Sequence, residues 1–82
     1  MLNYIDLVKM LVEIETEEEM SNFLNGLLTP SEREEFVRRI EIVKMLKSGI
    51  SQHDIAKRLG VGVATVTRGS KEIQLGRFNS VE

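Results

Sequence analysis

The sequence contains no cysteine and no tryptophan, and its 82 residues include one proline, six glycines, one tyrosine and three phenylalanines. Without cysteine the chain forms neither disulfides nor thiolate metal sites. No apolar run approaches the ~20 residues that a membrane-spanning helix requires. Asp6 and Lys9 interrupt the first apolar stretch, which argues against a secretory signal. We therefore predict a cytoplasmic protein.

The length leaves room for one small domain and excludes most enzymes. A composition of 41% apolar and 29% charged residues is typical of a folded chain rather than a disordered one. So short a chain buries only ~60% of its unfolded surface. Because no disulfide stabilises it, additional apolar contact must come from association, and we expect an obligate oligomer.

The two halves of the chain carry opposite charge, although the formal net charge is only −2. Residues 1–35 hold two basic and nine acidic side chains, a net charge of −7, whereas residues 36–82 hold nine basic and four acidic ones, a net charge of +5. This asymmetry indicates that the second half meets a polyanion.

The apolar spacing predicts an all-α fold, a small five-helix bundle. We expect helices over 2–13, 17–26 and 30–48, a short helix between Ser51 and Gly60, and a last helix from Val63. Capping-box patterns begin at Thr16, Thr29 and Ser51, and Gly26 is read as a stop signal. The third helix is apolar well beyond a single stripe, so we place it at the centre of a core that two chains share; its apolar residues are Phe36, Val37, Ile40, Ile42, Val43, Met45 and Leu46.

The segment 51–75 has the pattern of a helix-turn-helix. Ala56 allows the two helices to approach closely, Gly60 suits the tight turn and Val61 fills the corner. Inward anchors are expected at Ile55, Leu59 and Val66. We interpret 1–82 as a single domain in which 1–48 form the core and dimerisation helices and 76–82 form a tail.

The start of the second helix in this motif is suited to DNA. Gly62, Val63 and Ala64 are small enough for the backbone to approach base edges or phosphates. Thr67 can hydrogen-bond a base, and phosphate oxygens are within the expected reach of Gln52, Lys57, Arg58, Thr65 and Lys71. The same packing also occurs in helical domains that never touch DNA, so a non-DNA helical interaction module remains an alternative.

Residues 27–75 resemble the tryptophan operon repressor family, either its typical members or a divergent branch of the superfamily. The similarity runs through Leu27-Leu28-Thr29-Pro30-Ser31-Glu32-Arg33-Glu34, Arg39-Ile40-Glu41-Ile42-Val43, Ser51-Gln52 and Gly60-Val61-Gly62-Val63-Ala64-Thr65-Val66-Thr67-Arg68-Gly69-Ser70. The last stretch is the most specific. The resemblance implies an intertwined helical homodimer that binds L-tryptophan as corepressor and reads operator half-sites as a transcriptional repressor.

The resemblance also implies roles for single residues. Arg39 and Arg68 would enclose the indole, with Arg68 pairing with the carboxylate. The rest of the corepressor site would comprise Gly26, Leu28, Thr29, Thr65, Gly69 and Glu72. The residues facing the operator would be Ser51, Gln52, His53, Gly62, Val63, Ala64, Thr65, Thr67 and Lys71.

Three positions depart from the family pattern. Glu72 replaces a serine beside the ligand's amino group, where a carboxylate either pairs with the ammonium or changes the choice of ligand. His53 replaces an arginine and Ala56 a lysine, which affects the operator sequence. The Thr16-Glu17-Glu18-Glu19 start of the second helix also resembles a related branch of the superfamily, so an effector-independent DNA-binding regulator of that superfamily is a second alternative. We expect no enzyme activity, because Ser51, His53 and Asp54 lie too close together on one helical turn to form a triad. We expect no metal site, because His53 is the only histidine and no acid cluster has the spacing of metal ligands.

Overall fold

The computed structural model describes all 82 residues and contains five helices and no strand. The helices are α1 (Tyr4–Glu13), α2 (Glu17–Leu27), α3 (Pro30–Lys47), α4 (Gln52–Leu59) and α5 (Val63–Gln74). The all-α prediction is confirmed, and the predicted helix ends differ from the observed ones by two residues at most. None of the five helices combines the length and the apolar character needed to cross a membrane. The homodimer and the single-domain organisation stay predictions.

The chain divides into two compact units, Met1–Arg33 and Glu34–Glu82. In the first unit α1 begins at a capping box that the sequence analysis missed. The Asn3 side chain accepts a hydrogen bond from the backbone N–H of Asp6, and the Asp6 carboxylate accepts one from the N–H of Asn3, both at 3.0 Å. Neither α1 nor α2 contains a buried residue.

Thr16 caps α2 as predicted, because its hydroxyl oxygen accepts a hydrogen bond from the N–H of Glu19 at 3.1 Å. The predicted return hydrogen bond to the Glu19 carboxylate does not form, so the capping box is only half made. The prediction that Gly26 ends this helix is wrong. The helix continues through Gly26 to Leu27, and Leu28 is the C-cap, with an extended backbone and an N–H that donates to the carbonyl of Leu24. Gly26 has no positive φ, so it does not form the left-handed cap on which the prediction rested.

The capping box at the start of α3 is complete. The hydroxyl oxygen of Thr29 accepts from the N–H of Glu32 at 3.2 Å, and the Glu32 carboxylate accepts from the N–H of Thr29 at 2.9 Å. The backbone hydrogen bond from Thr29, reinforced by its side chain, holds the pKa of Glu32 below its usual value. Arg33 donates to the carbonyl oxygen of Leu28 at 2.9 Å, which satisfies a free acceptor after α2.

The second unit holds the buried core. Ile42, Ile55, Ala56 and Val66 pack together from α3, α4 and α5. Burial of a large aliphatic side chain contributes ~1.5–3 kcal/mol, so these residues fix the helix-turn-helix against α3. Gly60 ends α4 in the left-handed conformation at φ 66°, and Val61 packs on the core, as predicted.

The apolar residues of α3 divide into a buried and an exposed set. Ile42 and Val43 are buried, as expected of a central helix. Phe36, Val37 and Ile40 are exposed in the single chain, at 45%, 66% and 38%. The expectation that α3 needs more neighbours than one chain supplies is consistent with this exposure.

Candidate ligand pocket and helix-turn-helix surface

A cavity of about 310 Å³ lies beside α3 and α5 in the second unit. Its volume is at the lower end of the ~300–1,000 Å³ of small-molecule sites. The residues that line it are Arg39, Ile42, Val43, Thr65, Arg68, Gly69, Glu72, Arg77 and Phe78. The fold therefore brings together five of the eight residues predicted for a corepressor site, namely Arg39, Thr65, Arg68, Gly69 and Glu72.

Helical geometry explains why these residues meet. Thr65, Arg68, Gly69 and Glu72 are spaced at i, i+3, i+4 and i+7, so they share one face of α5. Arg39 lies one turn before the buried Ile42 on α3. One wall of the cavity is thus a stripe of α5, and the opposite wall is α3.

Gly69 shapes the cavity through the helix packing. A Cβ atom at this position would lie 3.3 Å from Cγ2 of Ile42 and 3.6 Å from Cδ1 of Leu46. The first distance is shorter than an ordinary van der Waals contact, so glycine allows α5 to approach α3 closely.

The three guanidinium groups of the cavity differ in their partners. Arg39 pairs with Glu35 at 2.9 Å, and its Cζ lies 5.5 Å from the centroid of the Phe36 ring. Arg77 donates from Nε to Oε2 of Glu72 at 3.3 Å. Arg68 takes part in neither of the two ion pairs of the chain. Arg68 is therefore the only one of the three arginines whose charge is not paired with a carboxylate.

Three predicted ligand residues, Gly26, Leu28 and Thr29, belong to the first unit. The Thr29 hydroxyl accepts the capping hydrogen bond from Glu32, and the Leu28 carbonyl accepts from Arg33. Both groups therefore already serve the local structure between α2 and α3. Their role towards a ligand stays a prediction.

Arg77 and Phe78 line the cavity but were not singled out from the sequence. They follow α5, where the chain forms turns over residues 75–80. No helical periodicity extends to them, so the sequence offers no direct signal for their position.

Most residues predicted to face DNA are accessible at the beginnings of α4 and α5. Ser51 caps α4 by accepting from the N–H of Asp54 at 3.2 Å, without the return bond of the predicted capping box, and His53 is exposed in the first turn of α4. Gly62 is the N-cap of α5 and supplies no side-chain hydrogen bond. The other accessible predicted residues are Val63, Ala64, Thr65 and Lys71.

Thr67 and Gln52 are half-buried and contact each other. The Thr67 Oγ1 atom lies 2.6 Å from Oε1 of Gln52 and 3.0 Å from the carbonyl oxygen of Val63. The hydroxyl donates one proton, so these two acceptors share it. Both residues are predicted to contact DNA, whereas the sequence pattern gives no indication of this bond between α4 and α5.

Neither unit contains a group of three His, Asp or Glu side chains that could hold a metal ion. No buried side-chain nitrogen or oxygen lacks a hydrogen-bond partner.

Comparison with known proteins gives a consistent result. The family model described as Trp repressor protein matches residues 3–79. A Trp operon repressor homolog from Vibrio vulnificus is 47% identical over 72 residues, which is 87% of this chain and 68% of that protein. One from Vibrio cholerae is 46% identical over 71 residues, 85% of this chain and 66% of that protein. One from Aliivibrio fischeri is 50% identical over 52 residues, 62% of this chain and 48% of that protein.

The chain spans about two thirds of the length of the first two of these relatives. No solved structure matches it. The matching family consists of regulators and not of enzymes, which confirms the prediction that the chain is no enzyme. Because the family match covers nearly the whole sequence, the chain belongs to the Trp repressor family.

Proposed function

We propose that the protein is a homodimeric transcriptional repressor that binds operator DNA when L-tryptophan occupies the cavity. The main observation in support of this proposal is that α5 belongs both to the cavity and to the helix-turn-helix. Thr65, Arg68, Gly69 and Glu72 on this helix line the cavity, and its first turn is the exposed start of the second helix of a helix-turn-helix. A ligand in the cavity therefore contacts the same helix that would read DNA.

The charges of the cavity are suited to an amino acid. Arg68, which has no carboxylate partner, would bind the ligand's carboxylate in bidentate fashion. Arg39 already lies above an aromatic ring, that of Phe36, and an indole offers its guanidinium a similar face. Glu72 is the only carboxylate in the lining and would face the ammonium group.

The helix-turn-helix would bind DNA through the starts of its two helices. The first N–H groups of α5 have no side-chain cap, so they are available to phosphate oxygens at the positive end of the helix dipole. Ser51, Gln52 and His53 would contact the backbone beside the groove, while the side chains of Val63 and Ala64 would face the bases. A protein with this function works where the DNA is, in the bacterial cytoplasm.

A dimer explains both the exposed apolar surface and the way DNA would be read. Phe36, Val37 and Ile40 are exposed in the second unit, and Leu2, Tyr4, Ile5, Val12 and Leu27 in the first. Isolated apolar surface residues are common, but a mainly apolar cleft such as the one that Phe36, Val37 and Ile40 line is typical of an interface. Two copies would place their reading helices at half-sites about one helical turn apart, ~34–36 Å, the docking geometry of helix-turn-helix dimers for which the Trp repressor is itself a known example.

The experiment that tests this function is a gel shift with and without L-tryptophan, together with a fluorescence titration of the ligand. The chain has no tryptophan of its own, so the added amino acid is the only indole fluorophore. We expect saturable binding and a DNA shift that strengthens with L-tryptophan. If a random-sequence duplex gives no shift even at low salt, both DNA-binding hypotheses fail and a helical interaction module remains.

A second candidate is a DNA-binding regulator of the same family that needs no effector. The ion pairs of the cavity favour this alternative, because Arg39 and Glu72 already have partners without any ligand. In that case the gel shift is unchanged by L-tryptophan and the titration shows no binding.

A further inference from the structure

The chain turns back after α5 and contributes a wall to the cavity. Gly76 adopts a positive φ of 79°, which a glycine tolerates without strain. Its N–H donates to the carbonyl of Ile73, and the N–H of Arg77 donates to the carbonyl of Glu72. We call residues 76–81 the strap.

The strap is attached to α3 by Lys47, the last residue of that helix. The Lys47 ammonium group donates hydrogen bonds to the carbonyl oxygens of Phe78 and Val81. With both ends of the strap held in this way, Arg77 and Phe78 lie in the lining of the cavity.

Arg77 faces the one carboxylate of that lining. Its Nε atom lies 3.3 Å from Oε2 of Glu72, and the side chains are 66% and 36% exposed. A ligand ammonium that approaches Glu72 therefore meets a carboxylate whose charge is already partly compensated by a guanidinium. The contact is accessible to solvent, which keeps the pair weak enough to be exchanged.

We propose that Arg77 is a specificity-determining residue of the cavity: it is an internal counter-ion of Glu72 that the ammonium group of a ligand must displace. This inference rests on the proposed ligand binding and adds the residue that controls its selectivity. Because the ammonium group must displace Arg77 from Glu72, indole ligands with an ammonium group bind with lower affinity. Indole ligands without an ammonium group do not compete with Arg77, so their affinity is not lowered in this way. The Arg77–Glu72 pair thereby sets how strongly the cavity prefers an amino acid to an indole carboxylic acid.

The test measures the affinities of L-tryptophan and of indole-3-propionate, which lacks the amino group, for the full chain and its variants. The quantity of interest is the ratio of the two affinities. For Arg77→Gln we expect the ratio to shift about twofold to fivefold towards L-tryptophan, the range of an exposed ion pair. For Glu72→Gln we expect a shift in the other direction. The double variant should match Glu72→Gln, because Arg77 acts through that carboxylate.

Arg38→Gln is the control, since Arg38 is exposed on α3, makes no ion pair and does not line the cavity. An unchanged ratio in Arg77→Gln overturns the inference. A shift towards indole-3-propionate overturns it too, because Arg77 would then favour the ligand with the ammonium group instead of competing with it. If the unaltered chain binds neither probe, the proposed function fails as well; if it binds both and the ratio is insensitive to Arg77, only the inference fails.

Discussion

Arg68 differs from the other two arginines of the cavity because no carboxylate of the chain compensates its charge. We expect Arg68→Ala to weaken L-tryptophan binding by about 10-fold to 100-fold, the range of a lost charge-assisted hydrogen bond. Ligand-dependent DNA binding should weaken with it. Fluorescence titration and gel shift measure the two effects, with Arg38→Ala as the matched control on α3. If only DNA binding changes, the assignment of the ligand carboxylate to Arg68 is wrong.

Glu32 allows a pH prediction at the scale of one residue. Hydrogen bonds from Thr29 lower its pKa in the folded chain, so the folded state favours the ionised carboxylate. The resulting stabilisation is present above the usual pKa of 4.5 and is lost as the pH falls through the lower, folded value. We expect Glu32→Gln to be less stable than the unaltered chain at about pH 7, with a difference that disappears in acid.

Urea unfolding followed by circular dichroism at a series of pH values checks this expectation. Glu34→Gln is the control, because Glu34 lies two residues further along the same helix and makes no hydrogen bond from its side chain. A stability difference that grows as the pH falls would contradict the capping role of the ionised Glu32.

At the scale of helices, Thr67 links the two halves of the helix-turn-helix. Its hydroxyl, 2.6 Å from the Gln52 side chain, connects the first residue of α4 to the middle of α5. We expect Thr67→Val, which keeps the shape but removes the hydroxyl, to weaken operator binding and change its sequence preference. Affinity for L-tryptophan should stay the same, because Thr67 does not line the cavity.

Thr67→Ser is the matched control for this prediction, since it retains the hydroxyl that donates to Gln52. Gel shifts with a selected duplex and with single-base variants of it measure the preference, and the fluorescence titration measures the ligand. A loss of operator binding in the serine variant with none in the valine variant would show that the methyl group, which valine keeps, and not the hydrogen bond matters.

The helices were predictable because their signals are local: apolar spacing and caps such as Thr29 determine where they begin. The α5 residues of the cavity were expected from the family resemblance, and their i, i+3, i+4 and i+7 spacing explains why they share one face. The Asn3 box was missed although its Asn-x-x-Asp pattern is equally local. Gly26 was misread because a glycine inside a helix costs only ~1 kcal/mol relative to alanine and need not end it.

The strap could not be predicted because its position depends on contacts between residues far apart in the chain. Lys47 bonds to carbonyl groups 31 and 34 residues later, and nothing in the spacing of the intervening residues indicates this pairing. Arg77 and Phe78 enter the cavity through that contact and through the turn at Gly76. Local patterns thus predict the rigid helices of a site more readily than the irregular segment beside them.

At the scale of the whole molecule, the exposed apolar face of α3 is the surface through which we expect two copies of the chain to associate. Phe36, Val37 and Ile40 lie along this face beside Glu41 and Lys44, and together they line a second, mainly apolar cleft. We expect a second copy of the chain to cover this cleft, because the buried core of one copy comprises only five residues.

We expect Val37→Asp to convert the dimer to a monomer. Val37 is 66% exposed in the single chain, so the new carboxylate disturbs no intrachain packing, but it would lie unpaired in the interface. Sedimentation equilibrium measures the mass of the particle. Thermal unfolding at several protein concentrations shows whether folding depends on dimerisation, since the melting temperature of an obligate dimer rises with protein concentration. Arg38→Glu, a charge change at the adjacent exposed position, is the control. If Val37→Asp sediments as a dimer, this face of α3 is not the interface, and the apolar residues of the first unit must supply it.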